Sequence, residues 1–272
     1  MPPLRSTIAV AAVIVGLIPA GQAIAETAAP MQMTTDIPEG IAMQDEVETR
    51  LGTLRAFDGF PDAETTQLLY DNLDFQRAVQ AYLLALAPVN MVRLREGLLK
   101  VGPANVTIPT FEQNLDARSI FLTANATTPY TWVWIDLHKG PLVFEAPPMT
   151  LGMIDDFWFR YVTDIGIVGP DKGQGGKYLL LPPGYKGTAP EGYHVVQVPT
   201  FESILVWRNM PVKGDLKPAI ANLKKFTRIY PLTQVANPPA NNFVNVSGRA
   251  FSTVAPADYQ FWDLLNYVVQ NE

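Results

Sequence analysis

From about residue 118 onward the chain is interrupted every few residues by glycine and proline. Gly140-Pro141, Pro147-Pro148, Gly169-Pro170 and Pro182-Pro183-Gly184 separate runs rich in Val, Ile, Leu, Tyr, Trp and Phe. Proline lacks the N–H a helix needs and glycine is entropically costly inside one, so such runs read as strands joined by turns. In Tyr130 to His138 the period of two puts Tyr130, Trp132, Trp134, Asp136 and His138 on one face, and Thr131, Val133, Ile135 and Leu137 on the other. Further strands are expected at 142–146, 150–154, 157–162, 177–181, 193–198 and 204–208. Short strands at this spacing predict an antiparallel sandwich over 118–212 rather than a parallel α/β sheet.

The chain ahead of the strands has a different grammar. Residues 26–56 show no clear period and read as a flexible lead-in. From 57 to 117 the pattern is helical, with Asp62 and Asp74 as N-caps and Phe75, Val79, Tyr82, Leu83 and Leu86 at helical spacing. Pro88 is expected to end or kink that helix. After the sandwich, 213–272 reads as a linker helix from Asp215 to Tyr230, a proline- and asparagine-rich loop, a strand at 243–246 and a last helix near 258–269. The fold class is therefore α+β.

The first residues bear on location. Arg5, the apolar run Ile8 to Ile18, Pro19 and Ala23-Ile24-Ala25 form a secretory signal with its cleavage site, predicting export to the periplasm or beyond. Eleven apolar residues fall short of the roughly 20 that span a bilayer, so no transmembrane segment is expected in the mature chain. Loss of Arg5 on cleavage moves the formal charge from -6 to -7, an acidity that disfavours phosphate backbones; nucleic acid is not an expected partner. With zero cysteines there are no disulfides, thiolate ligands or cysteine nucleophiles.

Candidate chemistry is sparse. The two histidines, His138 and His194, form neither H-x-H nor H-x-x-x-H, and no metal site is assigned. No serine lies in G-x-S-x-G. Lys172 to Lys177 looks like a phosphate loop only superficially, since G-K-[ST] is lacking and a strand follows; a tight turn is expected. Asp136, Asp155, Asp156 and Asp164 are the available carboxylates, but Asp155 and Asp156 are adjacent and must point to opposite faces, so they are not an acid/base pair. Arg160 should pair with a nearby carboxylate. The aromatic face carries two readings: it fills a core, or Tyr130, Trp132 and Trp134 with Asp136 and His138 form a ligand-binding face for a sugar ring or small amphiphile.

Three ordered blocks, F57-D-G-F-P-D-A63, D74-F-Q-R-A-V-Q-A-Y82 and G169 to K186 together with the tryptophan strand, resemble the bacterial domain-of-unknown-function family 1254, which usually precedes a second domain, 1214. The resemblance implies an immunoglobulin-like sandwich followed by a jelly-roll, and implies no cofactor or catalytic set. Phe261 to Asn266 looks like the lead-in to that second domain, whose body does not follow, so the chain reads as truncated. Where many relatives carry Asn-x-Asp-Thr-x-Tyr, this chain has N125-A-T-T-P-Y130, without the acidic residue. Three functions stay open: a periplasmic small-molecule or glycan binding module, an envelope hydrolase completed by a further domain, and a structural or assembly protein without ligand. The binding reading expects Trp134 to be accessible in a cleft.

Overall fold

The computed structural model describes residues 38, 40–41, 44–121 and 124–272, with the side chain of residue 251 set aside. The signal expected at 1–25 lies outside them. The chain divides into two compact units, 1–70 and 71–272. In the first, β1 (Glu46–Thr49), β2 (Gly52–Phe57) and β3 (Phe60–Pro61) form an antiparallel sheet. The lead-in read as flexible thus holds two strands. Its E-V-E-T and G-T-L-R-A-F runs do alternate, and Gly52 takes the φ of +116° that the turn requires, but little of the hairpin is buried, so its apolar signal is faint.

Helix α1 (Ala63–Leu99) starts where expected, with the Asp62 carboxylate accepting the Thr65 N–H at 2.7 Å. It then runs through both Asp74 and Pro88, where sequence predicts a second cap and a break. Proline in a helix interior costs about 3 kcal/mol. The turns that follow bury Val89, Met91, Val92, Leu94 and Leu98, each contributing about 1.5–3 kcal/mol, so packing outweighs the local penalty. The expected apolar face at Phe75, Val79, Tyr82, Leu83 and Leu86 is exposed instead.

In the second unit the six-stranded sheet has the order β14 (Asn242–Asn245), β4 (Thr107–Thr110), β6 (Tyr130–Asp136), β12 (Glu202–Asn209), β8 (Thr150–Asp156), β9 (Tyr161–Gly166). A four-stranded sheet has the order β11 (His194–Gln197), β10 (Gly176–Leu181), β7 (Leu142–Ala146), β13 (Arg228–Pro231). A small parallel pair joins β5 (Ser119–Ile120) to β15 (Phe251–Ser252). Val133, Ile135, Ile154, Leu205 and Trp207 of the larger sheet meet Phe144, Tyr178, Leu180 and Ile229 of the smaller in one buried core. This is the α+β sandwich, but it is mixed: β14 runs parallel to β4, and β11 to β10. It also draws β4, β13 and β14 from outside 118–212.

Helices α2 (Lys217–Phe226) and α3 (Gln260–Asn271) complete the unit. The helix expected to reach Tyr230 ends at Thr227, which is extended, because Ile229 and Tyr230 are buried as a strand against β7. The strand expected at 157–162 is also corrected. Residues 157–160 form a turn held by buried Asp156, whose carboxylate accepts the N–H groups of Trp158 at 2.8 Å and Arg160 at 2.9 Å and pairs with the Arg160 guanidinium. Phe159 sits at a φ of +56°, a conformation no aromatic residue prefers, and strand pairing resumes at Tyr161.

Candidate functional site

Both faces of β6 are covered. Thr131, Val133 and Ile135 face the sandwich interior, while Tyr130, Trp132 and Trp134 lie in a second core with Met91, Leu94 and Leu98 of α1 and Val268 of α3. The five residues of the expected binding face are therefore divided between two settings.

Trp134 is 2% exposed and is not open in a cleft. Its indole N–H donates to the Glu202 carboxylate, which also takes the Arg95 Nε–H at 2.5 Å and the Tyr267 hydroxyl at 2.8 Å. Glu202 thereby ties β12 to α1 and α3, and burial together with that carboxylate pushes the Tyr267 phenol well above its usual range. Beyond Trp134, the backbone of Asp136 pairs reciprocally with the Asn105 amide at 2.7 and 2.9 Å. The Asp136 carboxylate accepts the His138 N–H and faces His138 Nδ1 at 2.8 Å, and the imidazole stacks on Phe201 at 4.7 Å. Glu272 closes this end by accepting the N–H groups of Phe201 and Glu202; burial raises its carboxyl to about 7. Trp134 thus belongs to a packed, hydrogen-bonded strut, with Asp136 and His138 paired at its more exposed end.

Tyr130 and Trp132 belong to a pocket. The β6–β12–β8 register sets Trp132 beside Val206 and Val206 beside Met153, and sets Tyr130 beside Arg208. Here the sheet face opens into a cavity of about 220 Å³. Phe159, turned out by the Asp156 staple, forms another wall, and Asp164 and Arg208 bring the charge. The Arg208 guanidinium lies 5.5 Å from the Tyr130 ring centre, and the Tyr130 hydroxyl accepts from the Asn125 amide at 2.8 Å. Asn125 also takes the N–H groups of Thr127 and Thr128, so N125-A-T-T-P-Y130 is a loop organised by its asparagine. Trp132 stacks on Phe121 at 4.7 Å, and its buried indole N–H has no hydrogen-bond partner among the described residues.

Met153, Phe159, Val206 and Arg208 are walls that sequence reading missed. The strand period gave each a face, but only the pairing register brings those faces together. Of the four carboxylates, only Asp164 lines the pocket. Asp156 is the turn staple. Asp155 is 3% exposed on the same sheet face and has no hydrogen-bond partner among the described residues; burial, and then the charges of Asp156 and Asp164, push its carboxyl up to about 6. The histidines lie apart, His138 against Phe201 and His194 against Tyr178. Among the described residues no group of three or more His, Cys, Asp or Glu could hold a metal ion, and no helix is long and apolar enough to cross a membrane. Lys172 to Lys177 is the tight turn expected: buried Asp171 accepts the N–H groups of Gly166 and Gly175 and, at 2.6 Å, the Tyr178 hydroxyl.

Residues 105–231 match the family model described as "Protein of unknown function (DUF1254)". The match takes in a little under half of the chain. The matched span includes every pocket wall named above, whereas Arg95, Tyr267 and Glu272 of the strut lie outside it. A crystal structure of the VPA0106 protein from Vibrio parahaemolyticus is similar, with 17% identity and a TM-score of 0.49, over 70% of this chain and 45% of that one. The chain therefore spans less than half the length of that protein. No curated protein matches the chain.

Proposed function

We propose that this protein is a noncatalytic binding module, exported by its N-terminal signal to the periplasm or beyond, whose β6 pocket takes a small ring-bearing ligand rich in hydroxyls, such as a glycan unit. The observation that carries the reading is the pocket of about 220 Å³ in which the walls formed by Trp132, Met153, Phe159 and Val206 meet one carboxylate, Asp164, and one guanidinium, Arg208. An apolar wall with a few convergent polar groups is the usual make-up of a small-molecule site. A hydroxylated ring offers donors to Asp164 and acceptors to Arg208 while its apolar face covers the hydrocarbon wall. The export component rests on the signal motif at residues 1–25.

Intrinsic fluorescence of the purified chain, titrated with phenyl glucoside, tests the reading. A saturable change that disappears in Trp132→Phe and persists in Trp134→Phe supports it. No saturable change in the wild type, or a change that depends on Trp134 alone, overturns it.

A further inference from the structure

A second pocket, of about 240 Å³, lies between the last turns of α1 and the 246–252 segment. Its floor is apolar, with buried Leu98, Phe111 and Val246. Its rim is cationic, with Arg93, Lys100 and Arg249. Glu96 on the same rim is held by Arg93 at 2.6 Å, so that carboxylate is neutralised in place. Among the described residues neither Lys100 nor Arg249 has an ion-pair partner. Two free cations over a hydrocarbon floor contrast with a chain of net charge -6. The carbonyl end of α1 brings about half a negative charge to this neighbourhood, less than the two cations offset.

We infer that this pocket binds a small anionic amphiphile, its apolar body against Leu98, Phe111 and Val246 and its carboxylate or sulfonate head between Lys100 and Arg249. A low-dielectric floor strengthens the attraction of the rim for that head, and the surrounding acidity steers anions away from the rest of the surface. The site shares no cation with the β6 pocket and does not depend on what that pocket holds.

The test uses two fluorescent probes with one body: 8-anilinonaphthalene-1-sulfonate, which is anionic, and N-phenyl-1-naphthylamine, which is neutral. The wild type should bind the sulfonate more tightly. Lys100→Gln combined with Arg249→Gln should weaken the sulfonate by about tenfold or more, as expected for losing charge-assisted contacts, and leave the neutral probe within about twofold. Ala250→Trp, at an exposed position on the pocket wall, should block both probes. Equal wild-type affinity for the two probes, a sulfonate affinity unchanged in the double variant, or binding indifferent to Ala250→Trp would each overturn the inference.

Discussion

Replacing Asp155 by asparagine should stabilise the protein by an amount that grows from about pH 4 to about pH 6 and is then level through neutral pH. The side chain is 3% exposed and lacks a hydrogen-bond partner among the described residues, and its carboxyl is raised from 3.8 to about 6. The folded state therefore holds the proton more tightly than the unfolded state does. Stability is fully present below pH 4, falls as pH rises toward 6 and is level above that. At about 1.4 kcal/mol per tenfold in proton affinity, ionised Asp155 costs about 3 kcal/mol at pH 7.5. Asparagine keeps the shape and cannot ionise. Urea denaturation of Asp155→Asn and wild type at two pH values should give a difference of about 1 kcal/mol at pH 4.5 and about 3 kcal/mol at pH 7.5, in favour of the variant. Glu272, raised to about 7, adds a wild-type loss of the same sign that is common to both proteins and cancels. A variant no more stable than wild type at pH 7.5, or a difference that does not move with pH, would refute the reasoning and mean that Asp155 ionises against an attractive partner.

Other perturbations probe the frame around the pocket. Glu202→Ala removes the acceptor shared by Arg95, Trp134 and Tyr267 and should cost about 3–5 kcal/mol, as breaking a buried ion pair does, seen as a lower urea midpoint at unchanged slope. A loss below about 1 kcal/mol would mean that apolar packing alone fixes α1 and α3 on the sheet. Gly152→Ala would set a methyl group 2.7 Å from Trp207 Cα, where the β8 and β12 backbones leave no room, and should destabilise by about 1–3 kcal/mol. An unchanged thermal midpoint would show that the two strands separate freely there.

The sandwich strands are legible because each carries its own evidence: a two-residue period, β-branched and aromatic side chains, and glycine or proline at either end. The first unit's hairpin has the period, but its side chains are exposed. Where tertiary contacts decide, local signals mislead. Pro88 is a helix breaker on any propensity scale, yet α1 continues because the following turns are buried. Arg228 to Tyr230 follows a good helix and reads as its last turn, yet it pairs with β7 because Ile229 and Tyr230 bury more as a strand.

The site shows the same division more sharply. Period two places Tyr130, Trp132 and Trp134 on one face, and that much is correct. Nothing in the alternation separates Trp134 from its neighbours. What separates it is Glu202, 68 residues away, together with Arg95 and Tyr267 from two helices, which fill the space above Trp134 and leave the space beside Trp132 open. The cationic pocket is further beyond local reading, since Lys100 and Arg249 are ordinary surface cations until α1 and the 246–252 segment meet over Phe111. A strand pattern can therefore nominate the face on which a ligand would sit, but the choice among residues on that face belongs to whatever packs over it. In this chain the covering elements are α3 and the stretch of α1 beyond Pro88, where the sequence signals a helix end. The comparison of Trp132 with Trp134 is accordingly the sharpest test of the functional reading, because the two share strand, face and chemistry and differ only in what lies above them.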